Sequence, residues 1–341
     1  MHSKREATAI YYLAPDFEKP SWGNGILYGH VKLLNRNGID AAVLHHKRPY
    51  RYRWFESDVP VSYLNDSSFK IRENDLLVVP EVNVLDDFPR NADCKKIVFV
   101  QGGFLILYRL EKAVNYVELG YRHVIVTMPN IKKIVDTYFG AQSEIIPPFI
   151  APYFFARHGD TPPRERHKRI LFFKNPSYAG AGCIDYDIAL KLLVKRVDAG
   201  KNKLLGLWDR KSSDGWEPME LKNMTHREVS ELMKGSAFFV NLNSTEGFNV
   251  TVPEAMAAGC IPLCYEAYGG MDYLEDGHNA YVFSNNYVYP LIDKLFSLIE
   301  NYDDIQDELD RIRENAYKTA LRYTEEETEK SLLRFFTGLL A

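Results

Sequence analysis

Residues 238–283 read FFVNLNSTEGFNVTVPEAMAAGCIPLCYEAYGGMDYLEDGHNAYVF. The apolar run 238–242 predicts a buried strand. A polar turn follows over 243–249, and then a helix start: Thr251, Pro253 in the first turn, and Glu254 three residues after Thr251, the pattern of a capping box. Ala255, Ala257, Ala258 and Gly259 are small enough to let that helix pack closely. The run 261–264 predicts the next buried strand, and Gly269-Gly270 and Asp276-Gly277 mark tight turns. A loop at the carboxyl end of a strand, followed by a helix, is where open α/β sheets bind their ligands.

Two carboxylates stand in that stretch, Glu246 in the loop and Glu254 in the first turn of the helix. The free N–H groups of a helix start suit a phosphate. A carboxylate beside a phosphate is repelled by it, so its natural partners are hydroxyl groups of a sugar or ribose, because a carboxylate only accepts hydrogen bonds. A plainer reading also holds: a capping Glu needs no ligand, and a lone loop acid needs none either. The residues taken singly leave both readings open.

Taken together, EGF at 246–248, PEAMAAGCIP at 253–262, YGGMDYL at 268–274 and DGHNAYVF at 276–283 resemble the donor-binding signature of retaining glycosyltransferases of the GT-B fold, family 4-like. Two positions depart from that signature. Asn249 stands at the second turn glycine, where Asn tolerates a left-handed backbone. After the Gly-Gly turn the nearest acid is Asp272 and not the usual Glu. The resemblance implies an α/β chain of two doubly wound Rossmann-like domains facing a cleft, with a C-terminal helix returning to the first. It also implies that Glu254 holds ribose hydroxyls, that Glu246 holds the donor sugar, and that the backbone of Gly247, Phe248, Asn249 and Val250 receives the diphosphate.

The rest of the chain alternates in the same way. Strands are expected at 7–13, 41–44, 76–79, 97–100 and 124–128, with helices at 26–37, closed by Gly38, and at 130–139, closed by Gly140. The proline-rich stretch 147–168 interrupts the alternation. It then restarts with a strand at 170–173, a helix at 184–199, a strand at 203–208, and a helix at 225–234 capped by Thr225 and Glu228. From Tyr287 onward the chain reads as helical. The expected division is an acceptor domain over 1–150, a linker over 151–168, a nucleotide-sugar domain over 169–322 and a returning helix over 323–341.

At 341 residues, 46% of them hydrophobic, the chain has length for two domains with cores of their own. The net charge is -4, with basic side chains leading in 1–168 and acidic ones in 169–341. The four cysteines, 94, 183, 260 and 264, lack the spacing of a disulfide framework or a zinc site and read as small buried hydrophobes of a reducing compartment. The first residues lack the apolar core of a signal peptide, and no apolar run reaches membrane-spanning length. A cytoplasmic protein is expected.

Other segments carry weaker signals. Gly23-Asn24-Gly25 before a helix resembles the family's glycine loop at the donor phosphates, and Gly102-Gly103, after the strand ending at Val100, suits close approach of a ligand. Lys174 follows a strand and could neutralise a diphosphate leaving group, with Arg210 and Lys211 as substitutes; each is equally a solvated loop charge. Asp185-Tyr186-Asp187 spells the D-x-D triplet of metal-dependent transferases, but it opens a predicted helix, where Asp is favoured by the dipole, so no metal is expected. Residues 47–54, KRPYRYRW, interleave basic and aromatic side chains. With a negative net charge and no nucleic-acid motif, acceptor binding, peripheral membrane contact or a solvated loop are the readings, and no nucleic-acid partner is expected.

The expectation is a metal-independent retaining hexosyltransferase without a cofactor, whose donor is a UDP-, GDP-, dTDP- or ADP-sugar and whose acceptor is a glycan, a lipid-linked glycan or a small molecule. A GT-B-like sugar-nucleotide epimerase would need an acid–base set that cannot be assigned, and a phosphorylase a pyridoxal lysine without a motif. A catalytically silent binding protein is the alternative from another class.

Overall fold

The computed structural model describes residues 8–18, 21–52, 58–102, 115–156, 166–173, 188–189, 191–192, 215–285 and 287–340. The chain divides into two compact units, one of residues 1–149 with 325–341 and one of 150–324.

The first unit is built on a seven-stranded sheet of order β3-β2-β1-β4-β5-β6-β7, with every neighbouring pair parallel. Its strands are β1 Ile10–Leu13, β2 Ala41–His45, β3 Val61–Tyr63, β4 Leu76–Pro80, β5 Lys95–Val100, β6 His123–Val126 and β7 Ser143–Ile145. β2 and β4 are buried along their whole length, as strands covered on both faces must be, and this is why they appear in the sequence as unbroken apolar runs. The order reverses between β1 and β4, so the crevice beyond their carboxyl ends is the switch point of this sheet. The last helix, Glu325–Leu340, sends Leu332 and Phe336 into the same core as Tyr12, Leu33 and Leu34. Exposed ion pairs of Lys32 with Glu325 (3.0 Å) and Arg36 with Glu329 (2.7 Å) flank that contact.

Among the described residues, the second unit has a five-stranded parallel sheet of order β12-β11-β10-β8-β9. Its strands are β8 His167–Phe172, β9 Glu217–Glu220, β10 Ser236–Asn241, β11 Ile261–Tyr265 and β12 Tyr281–Phe283. The reversal falls between β8 and β10. The helix His226–Gly235 carries the expected capping box of Thr225 and Glu228. Cys260 and Cys264 are buried free thiols, and burial pushes both up to about 12, in keeping with a packing role.

Two local expectations are corrected. Gly23-Asn24-Gly25 does not form a loop, because the helix begins at Trp22 and runs to Arg36. Ser21 is its N-cap, accepting from the Asn24 N–H, and is itself fixed by the Tyr52 hydroxyl, which bonds both its N–H and its carbonyl. Thr251 and Glu254 do not close a capping box either. The helix Thr251–Ala257 starts one residue earlier than expected, with Val250 at the N-cap, and Thr251 turns its hydroxyl to Asn241 at 2.8 Å. The predicted strand at 203–208, most of the helix at 184–199 and the Asp185–Asp187 triplet lie outside the described residues.

Candidate active site

The site is assembled at the carboxyl end of β10, beside the switch point of the second sheet. Asn241, the last residue of that strand, is fully buried and organises the loop beyond it. Its Nδ2 donates to Asn249 Oδ1 at 3.0 Å and to Thr251 Oγ1, and its Oδ1 accepts from the Asn243 N–H at 2.9 Å. Asn249 takes φ +56°, the left-handed conformation that the signature normally gives to glycine, and its side-chain bonds to Asn241 and to the Asn243 carbonyl hold it there. The loop is therefore pinned from within, and Gly247, Phe248, Asn249 and Val250 are all buried.

Glu246 is half-buried at the crest of this loop, its Oε1 accepting from Asn243 Nδ2 at 2.7 Å. A second loop lies against it. The Gly269 N–H donates to the Glu246 carbonyl (3.3 Å), the Tyr268 N–H to the Ser244 carbonyl (3.4 Å), and the Tyr273 hydroxyl to the Phe248 carbonyl (2.9 Å). A Cβ on Gly269 would stand 1.3 Å from the Gly247 carbonyl oxygen, so the two backbones touch directly and only glycine fits. The sequence marked Gly269-Gly270 as a turn; its work is this close approach.

Glu254 is 1% exposed. Its Oε1 lies 2.6 Å from Nε2 of His226, a residue equally withdrawn from solvent, whose Nδ1 lies 2.5 Å from the hydroxyl of Tyr153. The ring of Phe154 packs on the imidazole at 4.7 Å. His226 and Tyr153 were not found by sequence reasoning. One opens a helix 28 residues before Glu254 and the other sits in a short turn 73 residues before His226, so no local pattern links them.

In the first unit the switch point carries a buried acid that the sequence reading also missed. Glu81 follows β4 and accepts from the Gly102 N–H at 2.8 Å. Burial pushes its carboxyl up to about 7, against the pull of the Gly102 and Gln101 N–H groups. Gln101 reaches across to donate to the Gly23 carbonyl at 3.3 Å, and a Cβ on Gly23 would meet the Gln101 Oε1 at 3.0 Å. Gly23 thus admits a glutamine side chain. Gly25 sits inside the helix, its N–H bonded to the Ser21 carbonyl.

Of the basic aromatic stretch, residues 47–52 are described, and its two tyrosines and two arginines have partners within the unit. Tyr52 is buried, the Tyr50 hydroxyl donates to the Phe17 carbonyl, and Arg48 pairs with Asp66 at 3.1 Å. Lys174, Arg210, Lys211 and Gly103 lie outside the described residues. Among the described residues no group of three or more His, Cys, Asp or Glu could hold a metal ion, and no helix is long and apolar enough to cross a membrane.

Residues 220–319, which span the end of β9 through most of the helix Gln306–Ala320, match the family model described as glycosyl transferases group 1. An alpha-1,6-glucosyltransferase of Actinobacillus pleuropneumoniae serotype 7 (strain AP76) is 25% identical over 265 residues, 72% of this chain and 69% of that protein. Three solved structures are similar in fold. A mutant of TarM of S. aureus, in complex with Fondaparinux, alpha-GlcNAc-glycerol and UDP, has a TM-score of 0.69 at 10% identity over 96% of this chain and 99% of that one. Sucrose-phosphate synthase of Thermosynechococcus elongatus has 0.68 at 10% identity over 97% and 99%. HepE of Anabaena in complex with UDP-glucose has 0.66 at 13% identity over 97% and 99%. Sheet order and these likenesses define the class as GT-B, with two Rossmann-like units. Within that fold, residues 220–319 carry the similarity to group 1 glycosyltransferases, and the curated relative is a glucosyltransferase.

Proposed function

We propose that the protein is a retaining glycosyltransferase that moves a hexose from a nucleotide diphosphate-sugar to a glycan, lipid-linked or small-molecule acceptor. The observation that carries this reading is the pinned loop and helix of 241–257, which sets Glu246 and Glu254 at the carboxyl end of a central parallel strand within the matched region. Glu254 accepts hydrogen bonds from the ribose hydroxyls and Glu246 from the donor sugar, both as acceptor-only groups. The backbone of 247–250 receives the diphosphate, with Lys174, or Arg210 and Lys211, neutralising its charge. The acceptor hydroxyl attacks from the face the leaving group departs, and a phosphate oxygen takes its proton. Neither a protein nucleophile nor a metal is required, and the enzyme works on the cytoplasmic side. Contact with a membrane through 47–54 has less support, since Tyr50 and Tyr52 are engaged within their own unit.

UDP-glucose is the first donor to test, because the curated relative is a glucosyltransferase and HepE holds UDP-glucose. The protein, incubated with radiolabelled UDP-, GDP-, dTDP- and ADP-sugars and a panel of glycan acceptors, is expected to transfer label from the UDP-sugar in excess EDTA, with the anomeric configuration kept. Turnover abolished by EDTA and restored by manganese would overturn the metal-independent mechanism. An inverted product would overturn retention.

A further inference from the structure

The reading of Glu254 as a ribose ligand leaves its buried partners unexplained, and the following inference rests on that reading. A carboxylate taken out of water needs donors. Glu254 receives one from outside its helix: His226 Nε2, on Oε1. Among the described residues nothing donates to the other oxygen, Oε2, and Oε2 is not one of the buried polar atoms left without a partner, so it remains open to a ligand.

The direction of the chain of bonds follows from chemistry. A carboxylate oxygen can only accept, so Nε2 carries the proton in that contact. In the neutral ring Nδ1 is then the acceptor, and the Tyr153 hydroxyl donates to it. Tyr153 thereby selects the tautomer that serves Glu254. The rest of the surroundings fix the ring in place: Phe154 covers the imidazole, and Ser230, one turn along the same helix, donates to the Tyr153 carbonyl at 2.7 Å. Thr225 and Glu228 cap the helix immediately before His226, which fixes the backbone from which the ring projects.

We propose that His226 is a positioning residue for the nucleotide site: with its tautomer set by Tyr153, it occupies one oxygen of Glu254 and leaves the other turned to the ribose hydroxyls of the bound nucleotide. Tyr153, His226 and Glu254 act as one relay of orientation, in which only the last member touches the ligand.

The test uses calorimetric titration of the full-length protein with two probes, UDP and 2′-deoxy-UDP, and reads the preference between them. Wild type should prefer UDP by about tenfold or more, the size expected for a hydrogen bond to a charged group. His226→Leu should lose most of that preference, while His226→Gln, whose amide can still donate to Glu254, should restore most of it. Tyr153→Phe removes a single hydroxyl and serves where His226→Leu does not fold; it should lose part of the preference with its melting temperature nearly kept. A filler of the core, by contrast, would change the melting temperature and leave the preference alone. Full preference in both His226→Leu and Tyr153→Phe would overturn the proposal. Glu254→Gln in the same titration separates the two levels. If it too keeps the wild-type preference, Glu254 is no ribose ligand and the underlying reading fails; if it loses the preference while the other two keep it, only the positioning role falls.

Discussion

Glu81 and Glu254 are both withdrawn from water, and their neighbours give them different properties. Glu254 is paired with an imidazole, whereas among the described residues Glu81 has only backbone N–H groups to offset burial, and its carboxyl is pushed up to about 7. A folded state that holds a proton the unfolded chain has already released loses stability as pH rises. The contribution of Glu81 is complete below the ordinary carboxylate range and is lost as pH climbs through about 7. Between pH 5 and pH 8 the stability of Glu81→Gln relative to wild type should therefore rise by about 2–3 kcal/mol, read from urea unfolding at both values. A difference independent of pH would mean that Glu81 is ionised throughout. At this scale the sequence was half legible. Glu246 and Glu254 stand in a local signature that makes them candidates from sequence; Glu81, His226 and Tyr153 owe their properties to neighbours distant in the chain and carry no local mark.

The 244–250 turn and the 267–274 loop stand or fall as a pair, because their backbones meet at Gly247 and Gly269. Gly269→Ala places a methyl group on a carbonyl oxygen that cannot move without moving the Glu246 crest. It should cost at least the ~1–3 kcal/mol typical of overpacking and should weaken UDP binding with it. Gly277→Ala is the control. Its φ of +68° is strained for alanine but nothing lies within 4 Å, so a cost of about 1–2 kcal/mol without any change in UDP affinity is expected. Denaturant unfolding and calorimetry of both variants check this; equal effects on binding would contradict the pairing. Elements with strong periodicity were legible at nearly their true bounds. Thr225 with Glu228 is a capping box in the structure, yet Thr251 with Glu254 is not, since Asn241 and His226 compete for its two side chains. β3, β7 and β9 have only three or four residues each, too short to give a pattern. Only the first turn of the helix Trp22–Arg36 was hidden, by glycines that lower helix propensity while Ser21 and the tertiary contact with Gln101 favour it.

For the whole molecule, the alternation of apolar runs with helical periodicity was sufficient to give two parallel α/β units, because strands buried on both faces must be apolar throughout. The strand orders, and hence the two switch points, came only with the structure, since nothing in a run such as 76–80 says which strand it will pair with. The returning helix 325–340 was legible by its resemblance to the family; its physical cause is the need to cover Tyr12 and Leu33 with Leu332 and Phe336. In the proposed function, the position of the loop and helix of 241–257 at the second switch point joins fold to function, and a nucleotide is the ligand that position predicts. Calorimetric titration of UDP into wild type and Glu254→Gln tests it most directly. Glutamine can still accept from His226 but presents an amide in place of a charged oxygen, so affinity should fall by roughly ten- to a hundredfold with the melting temperature of the free protein nearly unmoved; equal affinities would contradict the nucleotide site.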